Sequence, residues 1–167
     1  MISIEKINED HLPEVQKIAL KTWPKTFANI LSPKQIDYML DWMYDIEALR
    51  TQMNEKRHEF LLGAENGNYL GFASYEINHG GSQKTKIHKI YILPETQGKG
   101  VGKKLLLAVS EIALKNRNTH LFLNVNKYNQ NAIDFYSHLG FYEAFKEVID
   151  IGNGFVMDDV VMELKLT

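Results

Sequence analysis

Gln97-Gly98-Lys99-Gly100-Val101-Gly102-Lys103 is a run of residues suited to holding phosphate, and it joins an apolar strand, Ile87 to Leu93, to an amphipathic stretch. Glycines at alternate positions let the backbone approach a ligand without Cβ interference. They also leave successive N–H groups open at a helix start, where the macrodipole favours an anion. Lys99 and Lys103 add positive charge at the rim. Two familiar phosphate cradles do not fit. Lys103-Lys104 offers no hydroxyl for magnesium, which a P-loop needs. The next strand, Leu121 to Asn126, ends without the carboxylate of a dinucleotide fold. The remaining common solution is a pantetheine-pyrophosphate site.

Gln97-x-x-Gly100-x-Gly102, after a strand ending at Pro94, resembles the acetyl-CoA motif of the GCN5-related N-acetyltransferase (GNAT) family. The resemblance continues in register at Asn129 to Phe141, which is similar to that family's Asn-x-x-Ala-x-x-x-Tyr-x-x-x-Gly-Phe block. Together the motifs cover about Ile87 to Phe145. The resemblance implies acetyl-CoA as cosubstrate, with Gln97, Gly98, Lys99, Gly100, Val101, Gly102, Lys103 and Asn129 at the cofactor and no metal. It also implies that the strand before the loop splays from the strand after its helix. The pantetheine arm then lies in the resulting V against Ile90, Tyr91 and Ile92, held as a linear amide is held beside a strand. A side chain added at Gly100 or Gly102 is expected to intrude on the ligand and to weaken binding more than it weakens the fold.

The implied reaction moves acetyl from a thioester to an amine. An alkylamine with a reference pKa of about 10.4 is mostly protonated near neutral pH, so a base must take its proton before nitrogen attacks. The departing thiolate needs a donor, and Tyr136 aligns with the family's general-acid tyrosine. Some relatives carry a glutamate at the position of Asn124, but an amide is no base at neutral pH. His88 is the substitute. It shares strand alternation with Ile90 and Ile92, aligns with a histidine implicated as base in aralkylamine acetyltransferases of the family, and has a suitable imidazole. Glu76 with a water chain is the fallback.

The acceptor's identity falls to the first two helices and the last hairpin, which in this family wall the acceptor side. Trp23, Phe27, Tyr38 and Trp42 form a candidate aromatic wall for an alkyl chain or a cation, although aromatics at helical spacing are commonly core. Asp158 and Asp159 offer carboxylates for an ammonium. Ile30 to Gln35 and Gly154 to Asp159 resemble a bacterial subgroup that includes polyamine N-acetyltransferases. Two further readings stay open: acetylation of protein or peptide α-amines, and a non-enzymatic acyl-CoA-binding regulatory protein.

The elements that must position these groups follow from the pattern. Ile2 to Ile7 alternates as a half-buried strand; a helix starts after Asp10 and stops at Pro24; Ser32 caps a second helix whose first turn holds Pro33 and Gln35; a third runs from Asp45 to about Lys56. Phe60–Ala64 and Tyr69–Ile77 are strands joined through Asn66-Gly67, a hairpin signal. Lys84 to Val125 reads as strand, helix, strand, and hence as a parallel pair. Asn129 caps the next helix, Gly140 ends it, and two strands flank Gly152-Asn153-Gly154. This is the α/β order that the resemblance implies: one GNAT domain over 1–167, with a mixed, mostly antiparallel sheet of about seven strands, flanking helices and a splayed central parallel pair.

Composition narrows the partners. The 167 residues, 44% hydrophobic and 24% charged, suit one globular domain. A formal net charge of −2 gives no general attraction to nucleic acid or to an anionic membrane. With no cysteine there is no disulfide and no cysteine acyl-enzyme. A cytoplasmic enzyme acting on a small amine, as a homodimer, is the expectation.

Overall fold

The structure is a computed structural model that describes Met1–Thr167. Seven strands form one sheet in the order β1-β2-β3-β4-β5-β7-β6. Along the chain these are β1 (Ser3–Lys6), α1 (Leu12–Thr26), α2 (Pro33–Tyr44), α3 (Ile46–Asn54), β2 (Glu59–Glu65), β3 (Asn68–Glu76), β4 (Lys84–Ile92), α4 (Val101–Lys115), β5 (His120–Asn126), α5 (Gln130–His138), β6 (Tyr142–Gly152) and β7 (Phe155–Lys165). Single 3-10 turns at Glu9–His11, His79–Gly81 and Pro94–Thr96 add short connectors that the sequence pattern does not announce. The residues pack as two compact units, Met1–Glu76 with His88–Glu111, and Ile77–Ile87 with Ile112–Thr167. No helix is long and apolar enough to cross a membrane.

In the first unit, α1 does not stop at Pro24; it runs to Thr26. Proline removes one backbone N–H donor, and this close to the helix end that loss leaves most of the ladder intact. The Phe27 N–H still closes onto the Trp23 carbonyl at 3.0 Å. Ser32 caps α2 as its spacing predicts, accepting from the Gln35 N–H at 3.1 Å. Asn66 and Gly67 both have positive φ, 53° and 78°, the backbone that a two-residue turn needs to match strand twist.

A bulge then breaks the hairpin. Gly63 faces Gly71 but Ala64 faces Tyr69, so Leu70 is the extra residue. Its carbonyl accepts from the Leu93 N–H at 2.8 Å and from the Thr96 hydroxyl at 3.4 Å, which ties the end of β4 and the turn before the glycine loop to β3. Gly71 is the close-approach residue, since a Cβ there would lie 2.9 Å from the Tyr91 carbonyl oxygen. Phe60, Leu62 and Phe72, each fully buried, fill the core beneath the first helices.

In the second unit, β4 and β5 run parallel from Lys84↔His120 to Ile87↔Leu123, and the ladder is four pairs long although both strands continue. β7 pairs antiparallel with both β5 and β6. The Asn129 side chain caps α5 by accepting from the Ala132 N–H at 3.3 Å, and Gly140, at φ 99°, turns the chain out of it.

Candidate active site

The glycine loop is built from the bulge outward. Thr96, 6% exposed, donates its hydroxyl to the Leu93 carbonyl at 2.9 Å, and the chain leaves this anchor through Gly98 and Gly100, at φ 90° and 84°. Both are backbone conformations that glycine adopts without a Cβ penalty. The Lys104 N–H bonds to the Gly100 carbonyl at 3.1 Å, which makes Gly100 the cap of α4. Helix geometry then leaves the N–H groups of Val101, Gly102 and Lys103 without intrahelical acceptors. A Cβ built at Gly98 or Gly100 would meet nothing within 4 Å, so the loop faces open space. A loop of this shape fits a pyrophosphate. Lys99 is half-exposed and has Glu65 at 3.7 Å, while Lys103 is exposed.

The base candidates converge. His88 Nε2 lies 3.0 Å from Glu76 Oε1, and both side chains are mostly buried. Glu76 shares with Phe72 the face of β3 on which Tyr44 of α2 lies. A carboxylate accepts only, so in this contact the hydrogen lies on His88 Nε2. The next residue, Lys89, meets the α2–α3 region: its Nζ donates to Gln52 Oε1 at 2.7 Å and lies 5.6 Å from the Tyr44 ring.

Sequence reasoning missed His58. It lies just before β2, its ring is stacked on His88 with centroids 3.7 Å apart and 15° between planes, and its Nε2 lies 3.9 Å from Glu76 Oε1. Three donor atoms of His58, Glu76 and His88 fall within 4.8 Å of one another. Stacked rings send their in-plane lone pairs side by side, so an ion bound in line with one imidazole would lie far out of the plane of the other. The arrangement suits a proton.

Tyr136 is 6% exposed and packs edge-on against Phe135 and Phe141, with centroids at 5.2 and 5.4 Å. Its own carbonyl accepts from the Phe141 N–H at 3.0 Å, so the turn after α5 fixes its backbone.

The acceptor residues divide differently from the sequence expectation. Trp23 and Phe27, at 3% and 6% exposure, are core residues packed on each other and on Tyr91, with Trp23 Nε1 donating to Tyr44 Oη at 3.2 Å. They form no open wall, because α1 turns its apolar stripe inward. Tyr38 and Trp42, one turn apart on α2, do stack where Trp42 is 48% exposed. Asp158 and Asp159 do not act as a pair, because successive strand residues face opposite sides. Asp158 is bound to Lys127 Nζ at 2.6 Å. Asp159, 2% exposed, stands opposite Glu147 and accepts from Asn124 Nδ2 at 3.1 Å, while the same amide donates to Glu147 Oε1 at 2.7 Å. Asn124 thus bridges two carboxylates.

Burial pushes the Asp159 carboxyl up from its ordinary value; the Asn124 hydrogen bond opposes this and the Glu147 charge adds to it. A raised folded pKa means that the folded chain binds this proton more tightly than the unfolded one. The ionised carboxylate therefore costs stability, and that cost appears as pH rises through the raised value. Asp159→Asn is expected to unfold at higher denaturant than the parent at pH 7, with the advantage vanishing below about pH 4, where both states are protonated. Denaturant melts across that range check it; an advantage that grows on acidification would be the wrong sign.

The model of the Acetyltransferase (GNAT) family matches residues 12–141. Spermidine N(1)-acetyltransferase of Thermoplasma acidophilum is 26% identical over 161 residues, which cover 94% of this chain and 96% of that protein. Among solved structures, the PaiA N-acetyltransferase from Thermoplasma acidophilum in complex with coenzyme A is similar at TM-score 0.81 and 27% identity, over 99% of each chain. The ribosomal-protein-S18-alanine N-acetyltransferase from Escherichia coli, at TM-score 0.75 and 20% identity over 100% of this chain and 95% of that one, shares the fold.

Proposed function

The chain belongs to the acetyltransferase (GNAT) family, and from that premise we propose that it transfers acetyl from acetyl-CoA directly to a primary amine of a small alkylamine or polyamine, such as spermidine. The observation that carries this reading is the mostly buried His88–Glu76 dyad, at 3.0 Å, whose histidine lies on the strand that leads into an open glycine loop. The loop from Gln97 to Lys103 takes the pyrophosphate, and Ile90, Tyr91 and Ile92 take the pantetheine arm. His88 takes the proton of the acceptor ammonium, and Glu76 stabilises the imidazolium that results. The amine nitrogen then bonds to the acetyl carbon, the carbon–sulfur bond breaks, the Tyr136 hydroxyl supplies the proton that the thiolate takes, and the nitrogen's second proton leaves as the amide forms and restores the tyrosine hydroxyl. Residues 1–167 act as one catalytic domain in the cytoplasm.

A polyamine carries ammonium groups along a methylene chain, so its selection needs an apolar or aromatic surface and a carboxylate. The half-exposed Tyr38–Trp42 stack fits the first requirement. That aromatic surface suits the methylene chain of a polyamine better than it suits a peptide backbone. A panel of monoamines, polyamines and peptides with acetyl-CoA, followed by release of free CoA, tests the reading. Turnover is expected with spermidine or a close analogue; turnover confined to peptide N-termini would overturn the acceptor assignment and leave the family intact.

A further inference from the structure

We infer that the outer edge of β6 is a self-pairing surface: two copies of the chain join β6 to β6 in antiparallel, with a two-fold axis at Val148, so that one sheet runs through both. β6 ends the strand order, and its ladder partner is β7. An edge strand presents a row of backbone donors and acceptors, which natural chains blunt with bulges, proline or charge. β6 is 11 residues long, holds no proline, and pairs with β7 without a bulge from Phe145↔Val161 to Asp150↔Val156. Its bulges lie at the two ends of that span, at Glu143/Phe145 and Asp150/Gly152. Within it Phe145 is 55% exposed, Val148 65% and Ile149 37%. Side chains alternate along a strand, so Phe145 and Ile149 stand on one face and Val148 on the other. Apolar side chains left open on both faces of a long edge mark a contact surface.

Charge selects the occupant and the register. Opposed residues of an antiparallel pair point to the same face, so a two-fold axis normal to the sheet passes through a residue. With that axis at Val148, Lys146 of each copy stands opposite Asp150 of the other, and Glu147 opposite Ile149. Lys146 and Asp150 are both exposed. The Lys146 ammonium has a loose contact with Glu143 at 4.0 Å, and Asp150 uses one oxygen to accept from the Gly152 N–H at 2.8 Å, which leaves the other for an ammonium. Glu147 is held within its own chain by Asn124 Nδ2 at 2.7 Å. The neighbouring registers lack this match. An axis at Lys146, Glu147 or Asp150 sets a charge against its own copy, and an axis at Phe145 sets Glu143 against Glu147. An axis at Ile149 leaves Lys146 facing Gly152 and Asp150 facing Val148. The Val148 register forms two ion pairs, an apolar contact on the axis and roughly four to six backbone hydrogen bonds. It does not depend on the acetyltransfer reading.

Sedimentation velocity of the wild-type chain from about 1 µM to about 300 µM is expected to show a concentration-dependent shift from monomer to dimer. Lys146→Glu and Asp150→Lys each set two like-charge pairs across the axis, and each alone is expected to weaken the dimer by on the order of 10–10²-fold. Both positions are exposed, so either variant should fold, which a thermal melt checks. Mixing the two variants sets opposite charges face to face again at both pairs. The mixture should therefore form a heterodimer at concentrations where each variant alone is monomeric. The double variant, with the two charges exchanged within one chain, should dimerise as the wild type does, which removes net charge as the cause. A wild-type chain that stays monomeric at the highest concentration would overturn the inference and leave the edge to an extended segment of another protein. Single variants that dimerise as tightly as the wild type would overturn it as well, because the interface would then lie on another face. So would single variants that weaken the dimer with no rescue on mixing.

Discussion

Tyr136→Phe is expected to lower kcat by about 10²–10⁴-fold and to leave acetyl-CoA affinity and stability nearly unchanged. The substitution keeps the ring and backbone contacts that hold Tyr136 in place. The ring keeps its edge contacts with Phe135 and Phe141, and the backbone keeps its bonds from Leu139 and Phe141 at 3.1 and 3.0 Å. Only the hydroxyl is lost. If that hydroxyl protonates the departing thiolate, its absence acts on the transition state and lowers kcat and kcat/KM together. If it serves packing alone, kcat stays constant while unfolding free energy falls by about 1 kcal/mol for a lost buried hydrogen bond. Steady-state kinetics beside a denaturant melt separates the two, and full activity with reduced stability would remove Tyr136 from the mechanism.

The elements were legible wherever local chemistry sets them. The Ser32 cap, the Asn66-Gly67 turn, the Asn129 cap and the Gly140 stop all rest on side chains or backbone angles confined to a few residues, and each stands where the pattern puts it. His58 was illegible for a reason of register. Counting outward from the pair Glu65↔Asn68, an unbroken hairpin would set His58 across from Tyr75, on the wrong face for Glu76. The bulge at Leu70 shifts the pairing by one, to Glu59↔Tyr75, so that the next step outward brings His58 level with Glu76. Nothing in the residue types between Gly63 and Gly71 announces that extra residue. The missing glutamate at position 124 has a similar explanation. An amide is the side chain that can donate to Glu147 and Asp159 at once, whereas a third carboxylate there would face two like charges.

The second large effect concerns the loop, and the structure separates two glycines that look equivalent in sequence. Gly100 caps α4 at φ 84°, where a branched side chain is strained by about 1–2 kcal/mol whatever space surrounds it. Gly100→Val should therefore lose stability as well as ligand, contrary to the expectation from spacing. Gly102 lies inside the first turn of α4, in backbone that L-residues adopt, and valine is no worse a helix former than glycine. Gly102→Val should fold normally. Its side chain would nevertheless crowd the N–H groups of the first turn, to which the pyrophosphate must come within hydrogen-bond distance. Losing one or two bonds to a charged group predicts an acetyl-CoA affinity lower by on the order of 10²–10³-fold. Calorimetric titration of acetyl-CoA into the two variants, each with its own melt, reads both effects. Wild-type affinity in well-folded Gly102→Val protein would mean that the pyrophosphate binds elsewhere, and the open loop would then need another ligand.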